Sequence, residues 1–295
     1  MTSEVRTTLV GSVAVLLWGA LALFTSWTGS VPPFQLVALT FSIAFFLAAA
    51  KWIVAGQNPL AFLRYPLPVW MFGICGLFGY HAFYFIALKN APVVEASLIA
   101  YMWPLLIVLF SALLPGEKLR WHHIAGTLSG LAGTAVLVTD GAGFALKSEF
   151  IGGYAAAVAC ALTWSSYSVL SRRFKQVPTD TVGWFCGATA ILGAIASAGF
   201  EDQVWDISWS TWTGIILLGV GPVGAAFFVW DVGMKRGNIR VLGAFSYGAP
   251  LLSTLLLIAF TDTQATTAVW FACMAIVGGA VLAARDMLFA KPGTG

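Results

Sequence analysis

The sequence predicts an all-α polytopic membrane protein: ten transmembrane helices, arranged as two inverted five-helix repeats with both termini cytoplasmic. Three observations lead there. Charged residues are only 9% of the 295 and hydrophobic ones 59%, whereas a water-exposed domain carries about a quarter charged residues. Ten apolar stretches of membrane-spanning length alternate with short polar loops, and the chain matches itself when displaced by 146 residues. The same composition excludes disorder and a fibrous repeat, and a net charge of +3 is too small for a nucleic-acid-binding footprint.

In chain order the spans are 7–28, 34–54, 67–88, 93–114, 121–140, 151–172, 181–199, 211–232, 240–260 and 266–289. Each is close to the roughly 20 apolar residues that cross a bilayer, where no water satisfies an open backbone. The first span has the outline of a signal peptide, with Arg6 ahead of an apolar run ending near Ala20-Leu21-Ala22. It has a counterpart in the second half, however, and so counts as a span. Val31-Pro32-Pro33, Gln57-Asn58-Pro59 and Leu114-Pro115-Gly116 punctuate the connections. Nothing alternates with the period of a membrane β-barrel, and no loop is long enough for a soluble domain. Cys75, Cys160, Cys186 and Cys273 lie inside apolar spans, without the spacing of a zinc site or redox pair. They read as small core residues.

Charge sets the orientation. Arg6, Lys51, Arg64, Lys118, Arg120, Arg172, Arg173, Lys175, Lys235, Arg236, Arg240, Arg285 and Lys291 fall on the side of the N-terminus, and only Lys89 and Lys147 fall opposite. Basic residues in short loops stay cytoplasmic, which puts both termini inside. The place is the cytoplasmic (inner) membrane.

At the displacement of 146, Trp18 meets Trp164, Val31-Pro32 meets Val177-Pro178, and Gly73 meets Gly219. Lys89 meets Lys235, Tyr101 meets Tyr247, and Pro104-Leu105-Leu106 meets Pro250-Leu251-Leu252. Residues 1–146 are thus one repeat and 147–295 the other. Five spans is an odd number, so the second copy must be inverted. Two opposed copies make two similar gates around a midplane site, the architecture of many secondary transporters.

Leu17-Trp18-Gly19, Ala87-Leu88-Lys89-Asn90-Ala91-Pro92 and Tyr101-Met102-Trp103-Pro104 carry a further observation. With these motifs and the five-plus-five arrangement, the chain resembles the drug/metabolite transporter superfamily, EamA-type, over essentially its whole length. The resemblance implies export of a small-molecule substrate, with aromatic amino acids and other neutral amphipathic solutes in view. It implies neither an enzyme nor a cofactor.

Charge within the bilayer marks most ion-coupled sites, and the span centres carry none. Glu95 and Asp231 lie in terminal turns and read as interfacial. His81 is the one ionisable residue well inside a span. It is either a neutral imidazole bonded to a neighbouring helix or part of a cavity wall, with proton coupling a third reading. His122 and His123, beside Trp121, read as interfacial anchors. Helical phase groups Gly73, Gly76, Tyr80 and Tyr84 on one face of the third span, with His81 on its flank. Ser97, Tyr101 and Pro104 share a face in the fourth, Trp164 and Ser168 in the sixth, and Tyr247 and Pro250 in the ninth. Small residues there serve helix packing, but packing does not account for the large polar-tipped aromatics.

Of 13 tryptophans, Trp27, Trp52, Trp70, Trp121, Trp184, Trp205, Trp209, Trp212 and Trp270 fall at span ends or in loops, as interfacial belts do. Trp230, one turn from a span end, is ambiguous. Trp18, Trp103 and Trp164 are mid-span, although simple phase points Trp103 away from the Tyr101 face. The candidate substrate-binding residues are therefore Trp18, Tyr80, His81, Tyr84, Ser97, Tyr101, Trp103, Trp164, Ser168 and Tyr247. Pro104 and Pro250 each cost a helix hydrogen bond and are static kinks or hinges. Lys89 and Lys235 are placed to meet helix C-terminal carbonyls. Gly126, Gly130 and Gly133 with Gly278-Gly279 point to close helix packing, within the subunit or between subunits. No phosphate loop, catalytic cluster, metal-ligand cluster or obligate protein partner is evident; the partners are substrate and membrane lipid.

Overall fold

A computed structural model describes residues 2–143, 145–261 and 264–289; Lys291, one of the orienting cations, lies outside them. The described residues are helical, with no strand among them. The helices are α1 Ser3–Gly19, α2 Leu21–Ser26, α3 Pro33–Val54, α4 Leu67–Ile74, α5 Tyr80–Asn90, α6 Val93–Ala100, α7 Trp103–Ser111 and α8 Trp121–Thr139. There follow α9 Ile151–Leu170, α10 Thr181–Phe200, α11 Trp209–Val220, α12 Ala226–Arg236, α13 Ile239–Phe245, α14 Gly248–Phe260, α15 Thr267–Ala283 and α16 Arg285–Leu288. Seven helical stretches of the described residues are long and apolar enough to cross a membrane. Helix α15 is apolar but only 17 residues. Helices α8 and α9 have the length, yet Gly, Ser, Thr and His dilute their apolar residues.

The chain's punctuation acts as the local chemistry requires. Pro33 opens α3, where its missing N–H costs nothing. Thr2 and Asn238 accept from the Val5 and Val241 amides and so cap α1 and α13. Gly116, after α7, has φ +83°, a turn that a side chain would strain.

Several interruptions recur 146 residues apart. A π-helical turn, Cys75–Gly79, joins α4 to α5, and a second, Gly221–Ala225, joins α11 to α12. A non-helical step at Tyr101–Met102 separates α6 from α7, and one at Ser246–Tyr247, displaced by 145 rather than 146, separates α13 from α14. Pairing follows the same rule. Helices α3 and α10 pack together, as do α8 and α15, each with its counterpart at that displacement. The α1–α12 and α5–α9 contacts form a crosswise pair of equivalents.

The α8–α15 crossing answers the glycine question within the subunit. A Cβ on Gly126 would lie 2.4 Å from the Gly279 carbonyl oxygen, and one on Gly279 would lie 2.4 Å from that of Gly126. Ser129 adds a 2.8 Å bond to the Ala275 carbonyl across the same seam. Gly278 faces open space.

The loops collect at two ends. At one, Thr8 Oγ1 accepts from the Asn238 amide at 2.8 Å. Glu117 there reaches Arg172 at 3.7 Å and Arg240 at 3.2 Å. Lys51 pairs with Asp180 and Arg120 with Asp286. At the other end Glu201 accepts from the Phe34 and Gln35 amides at 2.8 and 2.9 Å, and Thr266 donates to Asp140.

Candidate functional site

Four indoles from four helices meet near the middle of the bundle. Trp18 comes from α1, Trp103 from α7, Trp164 from α9 and Trp230 from α12. All six ring pairs are in contact. Trp18 lies 5.0 Å from Trp230, 5.7 Å from Trp164 and 6.1 Å from Trp103, centroid to centroid. Trp103 is 6.1 Å from Trp230 and 6.3 Å from Trp164, and Trp164 stacks on Trp230 at 6.3 Å. Aromatic pairs contribute about 0.5–1.5 kcal/mol each beyond their buried area, so the quartet holds its shape through mutual contact.

Around it stands a second set of rings. Tyr80 lies 5.4 Å from Trp164, and Phe227 lies 5.6 Å from Trp164 and stacks on Phe41. His81 sets its edge against Phe41 at 5.1 Å and against Tyr80 at 5.2 Å. Its Nδ1 is 2.7 Å from the Leu77 carbonyl oxygen. A carbonyl only accepts, so Nδ1 bears the proton and Nε2 is the free acceptor. Leu77 belongs to the first π-helical turn. Trp18 Nε1 donates at 3.1 Å to the carbonyl of Pro222, in the second. Each π turn thus gives one carbonyl to a site ring.

The polar tips differ in their use. Trp230 Nε1 donates to Ser168 Oγ at 3.1 Å, which secures that ring from below. Among the described residues no acceptor meets the indole N–H of Trp103 or Trp164. Tyr84 Oη lies 3.5 Å from Ser97 Oγ, and the Tyr80 and Tyr84 rings run parallel. Tyr101, at the break between α6 and α7, sits within electrostatic range of Tyr84.

Burial gives the site a closed side and an accessible side. Trp230, Met234, Ile239, Leu242, Ile107 and Ser111 are buried, all towards the end that holds the chain's start. Trp18, Tyr80, His81, Tyr84 and Tyr101 keep part of their surface. The free ring faces therefore open away from that end.

Nine of the ten candidate residues come together in or beside this cage. Tyr247 does not: it is fully buried against Gly130 and Ile276, between α14, α8 and α15. Trp103 enters the quartet against the phase argument, because the step at Tyr101–Met102 ends one helix and starts another. Pro104 and Pro250 follow the two steps and stand in the first turns of α7 and α14. A proline there removes no interior hydrogen bond.

Trp230, ambiguous in the sequence, belongs to the quartet, and Phe41 and Phe227 join the surrounding rings without a sequence signal. The span limit of 232 put Trp230 near an end, whereas α12 runs on to Arg236. Nothing in the sequence separates two phenylalanines from the other 20 of 22. Trp52 is no belt residue: it is buried, stacks on Trp184 and donates to Asp180. Lys235 meets no carbonyl of its own helix; it donates to the Val177 carbonyl and pairs with Asp231 at 2.8 Å. His122 and His123 are buried in the first turn of α8. With Asp286 they bring metal-ligating atoms within 4.8 Å. The Asp286 carboxylate is held by Arg120 at 2.9 Å, and a neighbouring guanidinium disfavours a cation.

The EamA-like transporter family matches the chain twice, over residues 6–139 and 151–285. The chain belongs to that family. This is the superfamily its motifs resemble, and the two matched segments fall on either side of residue 146. A relative, the aromatic amino acid exporter YddG of Ancylobacter novellus, is 55% identical over 282 residues, 95% of this chain and 98% of the relative. A probable terminal-alkyne amino-acid exporter of Streptantibioticus cattleyicolor is 25% identical, covering 92% of each chain. A crystal structure of a protein 54% identical superposes with a TM-score of 0.92, over 98% of this chain and 100% of that one.

Proposed function

We propose that this chain exports aromatic amino acids and similar small amphipathic solutes across the inner membrane, by alternating access and without ion coupling. Its ten spans form two inverted repeats, 1–146 and 147–295, with both termini in the cytoplasm. The observation that carries the reading is the tryptophan quartet. It draws two rings from each half and leaves two indole N–H donors free for a solute. A flat solute stacks on such rings, and an ammonium group is attracted to their faces by cation–π interaction. The free donors of Trp103 and Trp164 suit a carboxylate. The names of the two relatives, each an amino-acid exporter, agree with this choice. The family match in two segments and the π turns 146 residues apart support the duplication.

The absence of ion coupling rests on His81. Its ring neighbours are Phe41, Tyr80, Phe85 and Phe227, and its one recorded hydrogen bond is to a backbone carbonyl. An imidazolium there would lose hydration with no carboxylate in return. The test is flux through the pure protein. Liposomes should exchange labelled phenylalanine or tryptophan with no imposed pH gradient. No uptake above empty liposomes refutes the substrate. Uptake only with a pH gradient makes the protein a proton-coupled exporter, and His81→Gln should then abolish it. A melting-temperature screen over the amino acids would rank ligands independently, since a ligand of the folded state raises apparent stability.

A further inference from the structure

On the outer flank of the bundle a groove of about 330 Å³ runs between α4 with its π turn and α9, away from the quartet's accessible side. Its walls are Phe72, Cys75, Thr163, Ser166, Tyr167 and Leu170. The hollow has a local cause. Tyr167 lies flat over Gly76, where a Cβ would come within 2.2 Å of its ring, and the α9 residues that line the groove before it, Thr163 and Ser166, are small. Leu170, at its lower end, is the last residue of α9 and exposed. A 3-10 turn, Ser171–Phe174, follows. Residues three apart eclipse in such a turn, which places Arg173 directly below Leu170. Arg173 and the nearby Lys175 are both exposed, and no carboxylate among the described residues pairs with them. Their neighbour Arg172 is committed to Glu117.

We propose that this groove binds an anionic phospholipid, with one acyl chain along Phe72, Tyr167 and Leu170 and the headgroup phosphate against Arg173 and Lys175. An outward groove on a membrane-spanning bundle faces lipid, so its apolar wall takes a hydrocarbon tail. The unpaired cations at its mouth select the headgroup: basic residues just outside a helix end attract anionic lipid. From Cys75 to the α4 start is eight residues, about 12 Å of helix, so the groove reaches into the acyl region from one leaflet only. The floor is shared with the site. Tyr167 stacks on Phe72 at 4.9 Å on the groove side and on Trp164 at 5.2 Å on the cage side.

Cys75 reports on occupancy, because it is an exposed thiol in the groove wall, while Cys160 and Cys186 are buried. Cys273, on α15, serves as an internal reference. The full-length protein in dodecylmaltoside is alkylated with N-ethylmaleimide, and each cysteine is followed by peptide mass spectrometry. Adding phosphatidylglycerol should slow Cys75 at least about threefold relative to Cys273, and the same amount of phosphatidylcholine should not. The double variant R173Q/K175Q, altered only on the surface, should remove the difference between the two lipids. Equal slowing at Cys75 and Cys273, equal slowing by both lipids, or persistence in the double variant would each overturn the proposal. The readout needs no transport, so it stands apart from the fate of the exporter reading.

Discussion

The two ends of the bundle are held by different chemistry. Where the chain starts, side-chain ion pairs tie the halves: Glu117 to Arg172 and Arg240, Lys51 to Asp180, Arg120 to Asp286. At the other end no ion pair is present among the described residues: Glu201 caps α3, Gln35 is bonded both ways to Val204, and Thr266 donates to Asp140. The difference does not follow the displacement of 146 residues. Displaced by 146, Arg172 and Arg240 fall on Ser26 and Val94, neither of which can replace a guanidinium. A helix cap fixes where a helix begins and persists through a rigid-body motion. An ion pair between loops can break and re-form at a cost of about 1 kcal/mol or less. The end held by ion pairs can therefore loosen locally without loss of helix. Buried Ile239, Leu242 and Met234 lie behind it.

The largest expected effect concerns the cage between the ends. Trp164→Ala removes the ring that touches Trp18, Trp103, Trp230, Tyr80 and Tyr167. It should cut liposome flux more than about tenfold, equivalent to about 1.4 kcal/mol, whereas Trp270→Ala, an exposed belt position, stays within about twofold. Comparable losses would show that the quartet is packing rather than a site. Next comes the lock. E117Q should raise amide exchange across Ile239–Phe245 about fivefold or more, since two ion pairs worth about 0.5–1 kcal/mol each are lost. Exchange in the first turn of α3 should not change. Unmoved exchange at 239–245 would erase the distinction between the ends.

E201A should act the opposite way. Loss of a charged cap costs about 1–2 kcal/mol, read as a melting temperature several degrees lower and faster exchange at Phe34 and Gln35, with 239–245 unaffected. If E201A opened both ends together, they would be one cooperative unit. The smallest change belongs to K51Q. Its partner pair is exposed on the lysine side, and the melting temperature should move by less than a degree or so.

Hydropathy located the helices because the requirement it reads, satisfaction of the backbone away from water, applies all along a span. Trp18 and Trp164 were legible because a rare residue repeated at one displacement. Trp103 is a candidate that simple phase pointed away from the cage, because helical phase is a memory of rotation and the step at Tyr101–Met102 erases it. The neighbouring Pro104 was the available clue. Trp230 was obscured by a span limit four residues short of the end of α12. Tyr247 shows the limit of symmetry. Its counterpart Tyr101 keeps part of its surface beside the cage, but Tyr247 fills the gap over Gly130 that only α8 and α15 create. The π turns left no signature beyond Gly76, Gly79, Gly221 and Gly224, residues that also mean close packing.

Those π turns act as phase shifters. Each spends an extra residue within one turn, so everything downstream is rotated by about 100° relative to an uninterrupted α-helix. Without that residue, Tyr80, His81 and Tyr84 on α5, and Phe227 and Trp230 on α12, would point roughly a quarter turn away from the quartet. Deleting one residue from either turn would thus redirect several aromatic side chains at once, with every one of them still present. The two insertions stand 146 residues apart, so one and the same change of phase turns the rings of α5 and those of α12 towards a common centre.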